Sequence, residues 1–278
     1  GVAQACRALG IRGRIYVPGT TPRQKRERIT AIGGDLVELV LIGDTFDDAA
    51  EAAADDAERT GATQVPPFDH PLIMAGQGTV ALEAAEQLRS EHGREMGTMV
   101  LPVGGGGLLG GCGAWLRERS PSTRIVGVEP AGAVSMAAAL RAGRPVTLHE
   151  LDRFVDGAAV RRVGAGPLRM VQAIDPKLIS VEEGAVCTEM LALYQVEGII
   201  AEPAGALTAT AVANGAIEHL GRAGHEASDP EEATGDVVVV VSGGNNDVSR
   251  YNEIVERSLV PEGLKHYFLV TFPQEPGA

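Results

Sequence analysis

Val100-Leu101-Pro102-Val103-Gly104-Gly105-Gly106-Gly107-Leu108-Leu109-Gly110-Gly111 is the stretch on which the fold of this chain turns. A short apolar run meets four consecutive glycines, and residues 112–119 then have helical character. Glycine loses more backbone entropy on ordering than any other residue, so four in a row make poor helix and poor strand. Such a run is kept where backbone passes very close to a neighbour or turns through positive φ. Between a strand and a helix the fitting guest is a phosphate. Successive N–H groups form an anion-binding concavity, and the helix N-terminus adds the positive end of its dipole. The alternative is a tight turn without a ligand, and four glycines in this place favour the phosphate. The spacing matches neither G-x-x-x-x-G-K-[ST] nor a clean G-x-G-x-x-G followed by an acidic residue about 20 positions on. A P-loop is excluded, and a dinucleotide site has little support.

Working outward, 278 residues suffice for one large domain or two moderate ones. A net charge of −13 speaks against a nucleic-acid partner. No run of 18 apolar residues is present, so no membrane partner is expected. The first residues lack signal-peptide architecture. Three cysteines without C-x-x-C spacing (Cys6, Cys112, Cys187) suggest reduced thiols in a cytoplasmic protein. The histidines are scattered, so no metal site is expected. Lysines are scarce: Lys25, Lys177 and Lys265 only.

The chain opens on a helix over residues 2–9, without an N-cap or an initiator Met, as though beginning inside a domain. Strands are expected at residues 14–17, 35–40, 63–65, 98–103, 125–128, 178–181, 236–241 and 266–272. Helices are expected at 22–32, 46–59, 75–88, 112–119, 133–142, 182–196 and 203–220, with another starting near 247. Residues 145–166 are irregular, and 222–235 read as a polar surface loop. This alternation defines an α/β class with open parallel sheets. The valine run of residues 237–241 implies burial on both faces, hence a central strand. The chain divides into three parts: a smaller α/β domain over 1–90, a larger one over 91–262, and a linker with the first strand of a further domain over 263–278.

Two strand-to-helix turns share one character, Val103-Gly-Gly-Gly-Gly-Leu108 and Val241-Ser242-Gly243-Gly244-Asn245. In an open α/β sheet ligands sit outside the carboxyl ends of strands, so both turns can face one crevice. The first would hold a phosphate, and the second would present the Ser242 hydroxyl to a ring atom. Helix capping is the alternative role for Ser242, since Asn245 and Asp247 also suit a cap. The residues leave both open.

Val103–Leu108, Glu202-Pro203-Ala204-Gly205-Ala206 and Ser242–Asn245 resemble the three signatures of the threonine dehydratase family of fold-type-II pyridoxal-phosphate enzymes. Residues 1–6 resemble the segment directly after that family's Ser-x-Gly-Asn-His-x-Gln loop, and residues 16–25 its V-P-x-x-x-P-x-x-K stretch. Residues 263–268 and 273–278 are similar to the opening of the ACT-like regulatory domain of the biosynthetic, isoleucine-regulated members.

The resemblance implies pyridoxal 5'-phosphate as cofactor and conversion of L-threonine to 2-oxobutanoate and ammonia in a cytoplasmic homo-oligomer, a tetramer. It implies that Gly104, Gly105, Gly106, Gly107 and Leu108 give N–H groups to the phosphate and that Ser242 bonds the pyridine nitrogen. A hydroxyl does not hold that nitrogen protonated as a carboxylate would, and the milder electron sink suits β-elimination. Glu202 would lie near cofactor and substrate; its alternative is an acid favouring a helix start ahead of Pro203. Gly157, after Asp156, would pass beside the cofactor, although Arg161-Arg162 departs from the usual pattern. The family's cofactor-bearing lysine lies upstream of residue 1, and none of Lys25, Lys177 and Lys265 is placed to replace it. Serine dehydratase, serine racemase or cysteine-synthase-like chemistry is the sister reading. The uninterrupted glycines argue against the last of these, and the regulatory-like tail against the racemase. A non-catalytic binder of a phosphorylated ligand is the reading from a different class.

Overall fold

The computed structural model describes residues 1–217, 235–244, 246 and 248–271. The chain divides into two compact units, Gly1–Pro67 and Phe68–Ala278.

The first unit runs α1 (Val2–Leu9), β1 (Gly13–Val17), α2 (Arg23–Gly33), β2 (Val37–Leu41) and α3 (Phe46–Thr60). Its two strands pair in parallel with Gly13 opposite Val37 and Val17 opposite Leu41. Thr45 and Asp48 form a capping box at the start of α3, and Gly61 ends that helix at φ 71. The strand expected at 63–65 does not form: these residues are exposed, and among the described residues no strand lies beside them to complete its hydrogen bonds.

The second unit runs α4 (Pro71–His92), β3 (Met96–Pro102), α5 (Gly107–Arg119), β4 (Arg124–Pro130), α6 (Ser135–Ala142), α7 (Ala165–Ile174), β5 (Lys177–Val181), α8 (Glu183–Glu197), α9 (Pro203–Ala213), β6 (Asp236–Val239) and α10 (Tyr251–Ser258). Its strands order β5-β4-β3-β6, every described pair parallel. The pleat of β3 sends Met99, Leu101 and Val103 into a core shared with α4, α5, α6 and α7. Val100 points the other way, into a core built with α8, α9 and Ile254 of α10. Helices therefore cover both faces, as parallel sheets require.

Several expectations change. Helix α4, expected to close the first domain near residue 90, groups with the second unit. A Cβ on Gly78 of α4 would stand 2.8 Å from the Gly111 carbonyl oxygen of α5, so the two helices cross backbone to backbone. Helix α5 begins at Gly107, not at 112, because Gly110, Gly111 and Gly113 leave room for Met170, Met74 and Ile174. Helix α7 is an addition to the expected elements. Its entrance, Gly164-Ala165-Gly166-Pro167, reads as a breaker, yet Asp69 accepts the Gly166 N–H at 3.1 Å and pins the first turn.

The valine run lies on β6, which among the described residues is an edge strand, and Val237 is 50% exposed. The central place goes to β3, with Met99, Val100 and Leu101 fully buried. A run of valines tolerates burial on both faces, but lateral position is decided by which strand pairs with which. No strand forms over 266–271, where Tyr267, Phe268, Leu269 and Val270 are exposed. Helix α9 stops at Ala213. Residues 218–220 of its expected end, most of the 222–235 loop, Asn245, Asp247 and residues 272–278 lie outside the described residues.

Candidate functional site

After β3 the chain places β4 and β5 successively to one side, and β6 then returns to the other side of β3. The order of strands reverses between β3 and β6. In open α/β sheets that switch point is where the loops diverge and leave a crevice beyond the carboxyl ends of the strands. The loop leaving β3 is the glycine run, and the loop leaving β6 carries Ser242. The Val240 N–H donates to the Val100 carbonyl at 3.2 Å, so the two loops leave the sheet side by side.

Gly106 caps α5 from the left-handed region, at φ 88 and ψ 0, and its carbonyl accepts the Gly110 N–H at 2.8 Å. The N–H groups of Gly107, Leu108 and Leu109 in the first turn have no intrahelical acceptor. With the dipole of a 13-residue helix behind them, they present an anion site made of backbone alone. In a chain of net charge −13, oriented amides can hold a phosphate without a nearby cation.

The run is closely packed by protein. A Cβ on Gly104 would stand 2.9 Å from the Ala158 Cα, and one on Gly105 would stand 2.5 Å from the Phe68 ring. Phe68 also lies against Gly107, and the Met136 methyl fills the position over Gly106. The glycines are therefore required by their neighbours as well as by a turn, and Phe68 and Ala158 wall the cradle.

Ala158 leads to the other sequence candidates. Gly157 is exposed, and a Cβ on it would meet the Ala204 Cβ at 2.9 Å and Glu202 Oε1 at 3.3 Å. Glu202 is half-buried at the start of α9, where its carbonyl accepts the N–H groups of Gly205 and Ala206. Its side chain makes no cap bond to that helix. The carboxylate instead packs on Gly243, which sits at φ 72, while the Glu202 N–H donates to the Gly243 carbonyl at 2.6 Å. The helix-start alternative thus accounts for the backbone of Glu202 but not for the direction of its side chain.

Ser242 is exposed on the β6 loop, and its N–H donates weakly to the Gly205 carbonyl at 3.4 Å. The next described helical turn begins at Val248, too far along for Ser242 to cap it. Gly104, Gly157, Glu202 and Ser242 thereby form one continuous chain of neighbours.

The lysines of this unit stand elsewhere. Lys177 opens β5, at the end of the parallel sheet opposite these loops, and Lys265 pairs with Glu256 beside α10. Lys25 belongs to α2 of the first unit. Among the described residues no cluster of side chains could hold a metal ion.

A model of the family described as pyridoxal-phosphate dependent enzymes matches residues 1–245. The chain belongs to the pyridoxal-phosphate dependent enzyme family. Within that family it is 54% identical over 280 residues to the L-threonine dehydratase biosynthetic IlvA of Mycobacterium tuberculosis (strain ATCC 25618 / H37Rv), matching all of this chain and 61% of that protein. The protein of the same name from Bacillus subtilis (strain 168) is 44% identical, again over the whole chain and 62% of the relative. The chain thus spans about three-fifths of the length of these curated relatives. Among solved structures, the processed form of threonine deaminase isoform 2 from Solanum lycopersicum superposes with TM-score 0.79 at 33% identity, covering 92% of this chain and 69% of that one. Maize serine racemase superposes with TM-score 0.77 at 25% identity, covering 94% and 74%. The parallel α/β architecture and the fold-type-II class are those of the family.

The residues present fit the family's cofactor in two respects, helix-start N–H groups free to take a phosphate and an exposed serine on the neighbouring loop. Sequence reasoning misses Phe68 and Ala158 as walls of the cradle. In the sequence Phe68 reads as part of a rigid proline-rich connector, and an alanine carries no chemical signal.

Proposed function

We propose that this chain is the cofactor-holding body of a threonine dehydratase, which converts L-threonine to 2-oxobutanoate and ammonia, the water lost on elimination being returned when the product imine hydrolyses. The observation that carries the reading is that the glycine run and the Ser242 loop leave neighbouring strands at the strand-order switch between β3 and β6. Identity of 54% to dehydratases of that name supports the substrate. The tomato structure at 33% supports it over the serine racemase at 25%.

Pyridoxal phosphate, when bound, supplies an electron sink that acidifies the substrate α-carbon and lets the β-hydroxyl leave. The chain's own residues then have separate tasks. The N–H groups of Gly104 to Leu108 hold the phosphate against the start of α5. The Ser242 hydroxyl bonds the ring nitrogen without carrying a charge. Phe68 and Ala158 keep water from one side of the cradle. Gly157 leaves room for Glu202, whose carboxylate stands between Gly157 and Gly243 as a proton-handling or substrate-orienting group. The lysine that bears the cofactor is outside these 278 residues in this reading.

The reading extends to a cytoplasmic homo-oligomer, a tetramer, with residues 263–278 beginning a regulatory domain. Light scattering and isoleucine titration test those points.

Two experiments test the core of the proposal. The purified 278-residue chain should bind pyridoxal phosphate reversibly, and borohydride should fix none of it to the chain. The polypeptide as its gene encodes it should release 2-oxobutanoate from L-threonine, faster than pyruvate from L-serine. Failure of that polypeptide to release any 2-oxoacid after reconstitution overturns the proposal.

A further inference from the structure

The loop over residues 152–158 joins the cradle to Glu202, yet it has no regular secondary structure of its own. Something must hold it, because Ala158 has to lie flat on Gly104 and Gly157 has to stay clear of the Glu202 carboxylate. Its interior bonds are few. Asp152 accepts the Phe154 N–H at 2.8 Å, and the Val155 carbonyl accepts the N–H groups of Ala158 and Ala159.

Asp156 Oδ1 accepts the Gly157 N–H at 3.0 Å, the Gly132 carbonyl accepts the Asp152 N–H at 3.0 Å, and further contacts come from the far end of the sequence. Arg250, one residue before α10, donates to the Phe154 carbonyl at 2.8 Å and lies 3.7 Å from Asp156 Oδ1. Its guanidinium carbon is 4.9 Å from the centre of the Phe154 ring. Arg257, on α10, brings its guanidinium carbon to 4.3 Å from the same ring and lies 3.4 Å from Asp152 Oδ2. Phe154 itself is only 3% exposed. Glu253 ties the two arginines together, 3.0 Å from Arg257 and 3.8 Å from Arg250. The arginines stand seven positions apart, about two helical turns, with Arg250 just before α10 and Arg257 within it.

Resting on the functional reading above, we infer that Arg250 and Arg257 are positioning residues that grip Phe154 and so set the 152–158 loop against Gly104 and Glu202. The grip has three points, Asp152, Phe154 and Asp156, at alternate positions along the loop. A guanidinium suits the task because its planar fork serves a carbonyl and a carboxylate at once while its face or edge meets a ring. Neither arginine touches the cradle. They act on it through the loop, one side-chain layer away, and they place the shape of the cradle under the control of α10.

The test uses the polypeptide as its gene encodes it, with Arg250→Met, Arg250→Lys, Arg257→Met and Phe154→Leu. Arg89→Met is the control, since it breaks the exposed Arg89–Glu95 pair elsewhere on the unit. Without cofactor, hydrogen exchange of the Ala158 and Ala159 N–H groups should quicken about tenfold in Arg250→Met and remain unchanged in the control. The dissociation constant for pyridoxal phosphate should rise about tenfold, the order of one charge-assisted hydrogen bond. Arg250→Lys should stay closer to the methionine variant than to the parent. Unchanged exchange at Ala158 and Ala159 together with an unchanged dissociation constant overturns the inference, even if thermal stability falls. If the parent polypeptide binds no pyridoxal phosphate, the functional reading fails and the exchange measurement alone decides the grip.

Discussion

The carbonyl oxygen of Ser242 occupies the space where a Cβ on Gly205 would stand. The first turn of α9 and the loop leaving β6 thus meet backbone to backbone, and Thr208 Oγ1 reinforces the seam by donating to the Val240 carbonyl at 2.7 Å. The two sequence signatures that carry Glu202 and Ser242 are adjacent because one of them contains a glycine at the point of contact.

Gly205→Ala should therefore be severely destabilising. The obstructing atom is backbone, which no rotamer change removes, so a cost of about 3 kcal/mol is expected. Urea unfolding of the 278-residue chain measures it, and pyridoxal phosphate binding should weaken in the same variant because Ser242 is displaced.

The same substitution should have opposite signs at two other glycines. Gly76 lies within α4 with nothing inside 4 Å of its missing Cβ, so Gly76→Ala should stabilise by about 0.5–1 kcal/mol. Gly106 stands at φ 88 under the Met136 methyl, so Gly106→Ala should destabilise by about 1–2 kcal/mol. Urea midpoints shifted in the same direction for both would contradict the geometry described.

Glu129 provides a pH signature. It is buried at the end of β4 and accepts the N–H groups of Met136 at 2.7 Å and Ala137 at 3.0 Å. Burial pushes its carboxyl from an ordinary 4.5 up to about 7, with the two N–H groups and Arg141 opposing. Between those values the folded chain keeps a proton that the unfolded chain has lost. The unfolded state binds fewer protons there, so this group's contribution to stability falls as pH rises through the window and levels off above it. Glu129→Gln should flatten that component. The difference between parent and variant urea midpoints from about pH 5 to about pH 8 measures it.

Thiol chemistry should report folding. Cys6, Cys112 and Cys187 are buried and unpaired. Burial raises the Cys112 thiol to about 11 and the Cys187 thiol to about 12, leaving little reactive thiolate near neutrality. Alkylation of these two should be slow in the native chain and fast in urea. Fast native labelling of either, located by peptide mass, would place it at the surface.

The elements most legible in the sequence are those with a local cause. Residues 2–9 and 46–59 carry amphipathic patterning closed by Gly10 and Gly61, and both form helices, within one residue of those bounds. The glycine run announces a strand-to-helix turn, and β3 and α5 flank it. The elements that sequence misleads about depend on partners distant along the chain. Residues 63–65 have strand character and, among the described residues, no strand to pair with. Helix α7 begins on Gly-Ala-Gly-Pro, and Asp69, far back in the chain, accepts the N–H that steadies its first turn.

By itself the sequence determined the α/β class, the presence of a glycine strand-to-helix turn over Gly104 to Gly107, and the scarcity of lysines. Each of these comes from residue type and short spacing, where backbone entropy and side-chain chemistry act locally. Only the tertiary structure decided that β3 rather than β6 is central and that Phe68 and Ala158 wall the cradle. It also decided that the Glu202 carboxylate turns toward Gly157 and Gly243, and that Arg250 and Arg257 converge on Phe154. Those outcomes depend on which strand pairs with which and on contacts between residues tens of positions apart, and local patterning carries no term for either.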